Sequence, residues 1–212
     1  MRVIGGTFGG RRLRAVEGHV TRPTSDRVRE ALFSRVEARY GLAGASVLDV
    51  FAGTGALAIE ALSRGAARAV CIEMEKRALE TLRGNLREFD LSERVRVMGD
   101  DYRRVLAKLA GTPTRRRFDG VFIDPPYGKG LAVEALEAVA GLGLVKAAGW
   151  VTVEVGRREA TPEAVVGAQG MFRRVREDIY GDTKLALYEA PVEADHNEPV
   201  GDSESPAAEA DR

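Results

Sequence analysis

The chain has 212 residues, of which 44% are hydrophobic and 30% charged, a composition typical of one globular domain. No apolar run approaches the ~20 residues that span a bilayer, and the opening stretch MRVIGGTFGGRRLR lacks the apolar segment of a signal peptide, so we expect a cytoplasmic protein. The single cysteine, Cys71, excludes an internal disulfide and is predicted to be a buried strand thiol. The two histidines, His19 and His196, stand apart from other ligand-type residues, so we expect no metal.

Charge is distributed unevenly along the chain. From Ala190 onward there are seven acidic residues, one arginine and no aromatic residue, which predicts a disordered acidic tail over 190–212. The remaining chain has six more basic than acidic residues, and residues 1–39 contain nine arginines and four acids. Such a basic surface suits a polyanionic partner, although from charge alone solvated arginines explain it equally well.

The first forty residues are predicted to form a basic extension of the main domain. The glycine-rich stretch RVIGGTFGGRRLRAVEG is typical of a short β-hairpin. The following TRPTSDRVREALFSRVEARYG predicts a helix with Thr24 or Ser25 as its N-cap. The residues of this helix that we expect in the core are Val28, Leu32, Phe33 and Val36.

Residues 41–189 alternate between strand-like and helix-like segments. Predicted strands at 45–51, 67–73, 94–99 and 118–124 are each followed by a predicted helix, at 55–65, 74–90, 101–111 and 131–142. This order indicates parallel strands with helices on both faces of the sheet. Three further strands are predicted at 149–156, 171–181 and 183–190, the last two as an antiparallel hairpin. We therefore predict an α/β fold with a Rossmann-like, seven-stranded methyltransferase-type sheet; an ordinary doubly wound sheet stays open.

A glycine loop, Gly53-Thr54-Gly55, connects the first predicted strand to its helix. With Ala58 it matches the spacing G-x-G-x-x-G/A of dinucleotide-binding loops. Glycine tolerates positive φ and lets a ligand approach the backbone closely. In this strand–turn–helix context the loop predicts a nucleotide-like ligand.

Acidic residues follow each of the first four predicted strands and should line one rim of the sheet. Glu73 is suited to accept hydrogen bonds from ribose hydroxyls, and Asp49 precedes the glycine loop. Of Asp100 and Asp101, we expect one to act only as a helix N-cap. An acidic rim repels a pyrophosphate and attracts a sulfonium and an amino group, which favours S-adenosylmethionine over NAD. The expected cofactor-binding residues are Asp49, Phe51, Gly53, Gly55, Glu73, Met74 and Asp101.

The fourth strand ends in the tetrapeptide Asp124-Pro125-Pro126-Tyr127. A residue before proline is held extended, so the Asp124 carboxylate and the Pro125 carbonyl should be two acceptors in fixed relation. Two such acceptors match the N–H groups of an exocyclic base amine, and Tyr127 can stack on the base. These four residues are the predicted catalytic residues.

The motifs LDVFAGTGALAIEALSRGA and IDPPY, with RVIGGTFGGRRLRAVEG, TRPTSDRVREALF and YGDTKLALYE, resemble the RsmD family of 16S ribosomal RNA guanine-N2 methyltransferases. The resemblance runs from Arg2 to about Glu189. It implies methylation of a guanine N2 amine by S-adenosylmethionine, with 16S rRNA in the 30S subunit or an assembly intermediate as partner. The predicted substrate-binding residues are Arg11, Arg12, Arg22, Thr24, Arg27 and Arg29, with 115–117 and Lys184 as weaker candidates.

Three other functions stay open at this point. IDPPY also fits amino-methyltransferases that act on adenine or cytosine in DNA or another RNA. The glycine loop alone fits an NAD-dependent oxidoreductase. A non-catalytic RNA-binding assembly factor would retain the same fold and the same basic extension.

Overall fold

The structure is a computed structural model that describes residues 1–16, 25–112 and 117–192. Among the helices in these ranges, none combines the length and the apolar character needed to cross a membrane. The predicted acidic tail lies outside the described residues from 193 onward. The helices are α1 (Asp26–Tyr40), α2 (Ala56–Ser63), α3 (Lys76–Glu88), α4 (Tyr102–Ala110) and α5 (Leu131–Gly141). The strands are β1 (Ser46–Asp49), β2 (Arg68–Ile72), β3 (Val95–Met98), β4 (Phe118–Ile123), β5 (Val145–Gly156), β6 (Ala164–Gly167), β7 (Gly170–Tyr180) and β8 (Thr183–Glu189).

All eight strands form one sheet in the order β3-β2-β1-β4-β5-β8-β7-β6. The first five in this order are parallel, and β8, β7 and β6 pair antiparallel beyond β5. The predicted fold class is confirmed, but the predicted count of seven strands was one too low. The missed strand is β6, whose four residues AVVG are too few to show the alternation that identifies a strand.

Side chains on the two faces of the sheet enter two separate cores, because successive residues of a strand point to opposite sides. Cys71 packs with α1, α2 and α3, whereas its neighbours Val70 and Ile72 pack with α4 and α5. On the first face the ring of Phe122 lies 5.4 Å from Phe33 of α1. Helices therefore cover both faces, as predicted, and Cys71 is buried as expected.

Helix α1 begins and packs as its sequence predicts. Ser25 is the N-cap, and its side chain accepts a 3.3 Å hydrogen bond from the backbone N–H of Val28. Two ion pairs fasten the outer side of the helix to the antiparallel strands, Arg35 to Asp178 at 2.6 Å and Arg39 to Glu189 at 2.5 Å. The four predicted core residues, Val28, Leu32, Phe33 and Val36, are all buried.

The predicted N-terminal hairpin is reduced to one isolated bridge between Arg2 and Arg12, with a 3₁₀ turn at Gly6–Phe8. Three backbone hydrogen bonds pair residues 1–3 with residues 10–13, so the predicted hairpin is present but short. Beyond Val3 the backbone bonds to α2 instead. Ile4 and Gly5 donate their N–H groups to the buried carboxylate of Glu60, at 2.7 and 2.9 Å. The extension is thereby anchored to the helix that follows the glycine loop.

Candidate active site

Strand register brings the predicted acids to one rim of the sheet. Asp49, the last residue of β1, lies opposite Cys71 of β2 and Phe122 of β4. Glu73 lies two positions after Cys71, and Asp124 lies two positions after Phe122. Both acids are therefore at the same carboxyl edge as Asp49. This edge is where open α/β sheets bind ligands.

The glycine loop adopts backbone conformations that only glycine takes easily. Gly53 and Gly55 have φ values of +53° and +83°. A Cβ on Gly55 would lie 2.4 Å from Cδ1 of Leu82, so α3 requires a glycine there. A Cβ on Gly53 would meet nothing within 4 Å, so its backbone remains open to a ligand.

Glu73 holds the loop and the start of α3 together. Its Oε2 accepts a 2.8 Å hydrogen bond from Gly53 N–H, and its Oε1 accepts bonds of 2.8 Å from both Met74 and Glu75 N–H. Each carboxylate oxygen offers two lone pairs, so one acceptor position remains on Oε2. Accepting both hydroxyls of a ribose therefore requires Glu73 to release one backbone partner. Met74, also predicted to bind the cofactor, is largely exposed beside it.

Asp49 is a fully buried acid, and neither of its carboxylate oxygens makes a hydrogen bond within the described part of the chain. Burial, followed by the nearby charges of Asp124 and Glu73, raises the pKa of Asp49 to about 8. The nearby backbone N–H groups of Ala58 and Phe51 attract the carboxylate without reaching the geometry of a hydrogen bond, so they lower the pKa by less than burial and the two acids raise it. A buried acid without a partner, beside two further acids, is an environment that a cationic group would stabilise.

The end of β3 carries the remaining predicted cofactor residues. Asp101 is the N-cap of α4 and accepts a 2.9 Å hydrogen bond from Arg103 N–H, while Asp100 accepts one from Asp101 N–H at 2.7 Å. The ring of Phe51 lies 4.8 Å from that of Tyr102 and is half-buried. The expectation of a capping acid is met by Asp101, and its contact with a cofactor stays a prediction. Within the described ranges, no three Asp, Glu, His or Cys side chains are grouped suitably for a metal ion.

The tetrapeptide after β4 is rigid and partly exposed. Asp124 is half-buried, Pro125 is buried, and Pro126 and Tyr127 are exposed at the rim. The Tyr127 hydroxyl donates a 2.5 Å hydrogen bond to Oε1 of Glu154 and lies 3.0 Å from Oγ1 of Thr183. Burial and the Glu154 carboxylate raise the pKa of Tyr127, so the phenol remains protonated. Residues of β5 and β8, which pair with each other antiparallel, therefore orient the Tyr127 ring at the end of β4.

The role of Glu154 was not recognised from the sequence. It is 4% exposed and interrupts the apolar run of β5, WVTVEV. A single acid in a buried strand was the available signal, because such a group needs a polar partner in the fold.

Arg29, predicted to contact the substrate, is fully buried. It donates hydrogen bonds to the Arg2 carbonyl at 2.6 Å and to Asp26 at 2.7 Å. The prediction of a surface phosphate contact is therefore wrong for Arg29. Arg29 lies next to Val28 on the buried face of α1. The number of arginines in the extension gives no information on which of them face inward.

The other predicted substrate contacts differ in their surroundings. Arg11 donates to the Glu88 carbonyl at 2.7 Å, and its guanidinium lies 4.1 Å above the ring of Phe89, so it stabilises the fold. Arg12 and Arg27 are exposed, and neither forms an ion pair with a described residue. Lys184, a weaker candidate, donates to the Glu159 carbonyl at 2.8 Å. The predicted residues outside the described ranges are Arg22, Thr24, Arg115 and Arg116.

A second residue missed from the sequence, Asn85, connects the extension to the glycine loop. This fully buried amide donates to the Thr54 carbonyl at 2.9 Å and accepts a 2.9 Å hydrogen bond from Arg14 N–H. An asparagine on the inner side of an otherwise apolar helix face was the signal for such a role.

The chain matches the model of the family described as "Conserved hypothetical protein 95" over residues 1–189. It belongs to this family. The "Putative rRNA methyltransferase YlbH" of Bacillus subtilis is 35% identical over 188 residues, which cover 89% of this chain and 98% of that protein. The "Ribosomal RNA small subunit methyltransferase D" of Escherichia coli K12 is 34% identical over 195 residues, 92% of each chain.

The solved structure of a "Putative methyltransferase yhhF" from Escherichia coli has the same fold, with a TM-score of 0.76 and 34% identity. The match covers 91% of this chain and 98% of that one. The family is thus one of methyltransferases, and the resemblance to the RsmD family is confirmed. The Rossmann-like methyltransferase sheet predicted from the strand order is the sheet observed.

Proposed function

We propose that this protein transfers a methyl group from S-adenosylmethionine to the exocyclic N2 amine of a guanine in 16S ribosomal RNA. The observation that carries the proposal is the meeting of two features at one rim. Asp124, Pro125 and Tyr127 provide acceptors and an aromatic ring at the end of β4, beside the buried, unpartnered carboxylate of Asp49. The names of the two relatives, both rRNA methyltransferases, support the choice of RNA.

The rim fits the cofactor by its charge and its open backbone. When bound, S-adenosylmethionine supplies an electrophilic methyl group on a positively charged sulfur. Asp49 provides negative charge in a buried position, and a cation there would hold it ionised at neutral pH. Gly53 leaves room at the loop, and Glu73 has an acceptor position for a ribose hydroxyl.

The guanine amine is a weak nucleophile because its lone pair is delocalised into the ring. Asp124 and the Pro125 carbonyl each accept one of its N–H groups and hold the nitrogen in place, while Tyr127 stacks on the base. Preorganised acceptors of this kind supply most of the rate when no covalent enzyme intermediate is formed. The proton lost by the methylated amine passes to Asp124 or to water.

The RNA must present an unstacked base to this rim. A paired guanine is out of reach, so the target is flipped out or already unpaired. Arg12 and Arg27 are available for phosphate contacts, which position the RNA without selecting its sequence. The partner we propose is 16S rRNA within the 30S subunit or an assembly intermediate.

The test uses purified protein, S-adenosylmethionine with a labelled methyl group, and three substrates: naked 16S RNA, assembly intermediates and 30S subunits. Nuclease digestion and chromatography then identify the labelled nucleoside. We expect label in N2-methylguanosine at one position, and labelling about 10²–10³-fold slower with Asp124→Ala protein. Label in an adenine or cytosine derivative, or no label in any substrate, would contradict the proposal.

A further inference from the structure

The turn 156–159 after β5 presents two arginines on a backbone fixed by hydrogen bonds. Gly156 N–H donates to Oε1 of Glu159 at 2.8 Å, and Glu159 N–H donates back to the Gly156 carbonyl at 2.9 Å. Arg157 N–H donates to the Asp182 carbonyl at 2.7 Å, which ties the turn to the connection between β7 and β8. The backbone of the turn is therefore held on both sides.

This turn adjoins the ring of Tyr127. A Cβ on Gly156 would lie 3.6 Å from Cδ2 of that ring, which is van der Waals distance. On the other side, the Tyr127 hydroxyl lies 3.0 Å from Oγ1 of Thr183, next to Asp182. Because β5 runs parallel to β4, the turn lies at the same carboxyl edge of the sheet as Asp124.

Arg157 and Arg158 are both exposed, and neither forms a side-chain hydrogen bond or ion pair with any described residue. Their neighbours on the antiparallel strands are different. Arg174 pairs with Glu177 at 2.7 Å, and Arg176 pairs with Asp178 at 2.8 Å. The turn therefore presents two arginines beside Tyr127 that pair with no described acid, although it also contains the Glu159 carboxylate.

We propose that Arg157 and Arg158 bind backbone phosphates of the RNA next to the nucleotide whose base stacks on Tyr127. The inference rests on the proposed function, since it names residues that bind the RNA substrate at the same rim. An arginine binds a phosphate with two parallel hydrogen bonds, and a fixed turn limits the loss of conformational entropy on binding. These contacts complement Arg12 and Arg27 of the extension.

The test compares Arg157→Gln/Arg158→Gln with a control that removes the same charge elsewhere, Arg96→Gln/Lys108→Gln. Arg96 on β3 and Lys108 on α4 are exposed, and β3 is the edge strand of the sheet opposite the antiparallel strands. RNA binding is measured by filter retention between 50 and 300 mM salt, and S-adenosylhomocysteine binding by calorimetry. Two lost phosphate contacts on single-stranded RNA reduce the slope of log Kd against log salt by about 1.4.

We expect the Arg157/Arg158 variant to raise Kd and KM for RNA about tenfold, with kcat and S-adenosylhomocysteine affinity unchanged. The control should match the wild type. Equal salt slopes for both variants would overturn the inference, whether or not methyl transfer occurs. Wild-type protein that binds RNA through these arginines but transfers no methyl group would contradict the proposed function and leave the phosphate contacts standing.

Discussion

The hydroxyl group of Tyr127 donates a 2.5 Å hydrogen bond to Glu154, a carboxylate that is 4% exposed. The two residues are 27 positions apart and belong to different strand ends, so their contact exists only in the folded sheet. Thr183 completes the arrangement from β8. The ring that is proposed to stack on the base is consequently positioned by β5 and by β8, the strand that pairs antiparallel with it.

Replacing Tyr127 by Phe tests this positioning. The ring remains but loses its anchor, so we expect kcat/KM for RNA to fall about tenfold through looser orientation of the base. Tyr127→Ala also removes stacking, worth ~1–3 kcal/mol, and should be worse still. Tyr40→Phe is the matched control, because Tyr40 donates a 2.7 Å hydrogen bond to Glu189 at the opposite end of β8. Methylation assays in which Y40F and Y127F lose activity equally would contradict the assignment.

Asp124 is expected to act as an acceptor for the base amine. Asp124→Ala should reduce kcat about 10²–10³-fold, the usual effect of removing one preorganised electrostatic contact. Binding of S-adenosylhomocysteine, measured by calorimetry, should change little. Asp124→Asn keeps a carbonyl oxygen and should retain more activity than Asp124→Ala. Equal loss in both variants would show that the negative charge, and not the acceptor geometry, is required.

The raised pKa of Asp49 makes cofactor binding depend on pH. Without a cation Asp49 holds its proton up to about pH 8, so a sulfonium that requires the ionised form displaces a proton below that pH. The affinity for S-adenosylmethionine relative to S-adenosylhomocysteine should rise by up to about tenfold per pH unit toward pH 8, then level off. Both ligands carry the same amino group, so the contribution of its titration to the affinity cancels in this ratio. A calorimetric titration from pH 6 to 9 should show a flat ratio for Asp49→Asn.

The same shift predicts how stability depends on pH. Unfolded Asp49 ionises near pH ~4, whereas the folded protein keeps it protonated to about pH 8, so the folded state binds more protons between these values. Asp49 therefore makes the free energy of unfolding fall as pH rises through this window. Urea unfolding of Asp49→Asn should show a smaller fall than the wild type between pH 5 and 8. An identical pH dependence would mean that Asp49 is ionised in the folded protein.

Glu60 is expected to stabilise the extension on α2. It is fully buried and accepts hydrogen bonds from Ile4, Gly5 and Arg64. Glu60→Ala leaves the N–H groups of Ile4 and Gly5 without a partner and Arg64 with Glu37 alone, and should lower the free energy of unfolding by about 3–5 kcal/mol. Glu88→Ala, which breaks the exposed pair with Arg14, should cost only ~0–1 kcal/mol. Thermal denaturation measures both, and similar losses would show that Glu60 is not the anchor.

The sequence alone was sufficient to predict the parallel part of the sheet and the acidic residues at its carboxyl edge. Strands that alternate with helices run parallel, so the acids at their carboxyl ends, Asp49, Glu73 and Asp124, share one edge of the sheet. The prolines after β4 and the glycines after β1 restrict the backbone locally, and their consequences could therefore be read without a structure. The N-cap at Ser25 is local in the same sense.

The tertiary structure decided everything that depends on contacts between distant residues. Arg29 is buried, and the guanidinium of Arg11 lies over the ring of Phe89. Packing in the folded chain, and not the charge of the residue, determines which way these side chains point. Ile4 and Gly5 donate to Glu60 of α2 and do not extend the hairpin, which the local sequence does not predict. Glu154 became a partner of Tyr127, and Gly156 came to lie beside that ring, because β5 is next to β4 in the sheet. Local conformation follows from neighbouring residues, whereas partners for buried or charged groups follow only from the folded sheet.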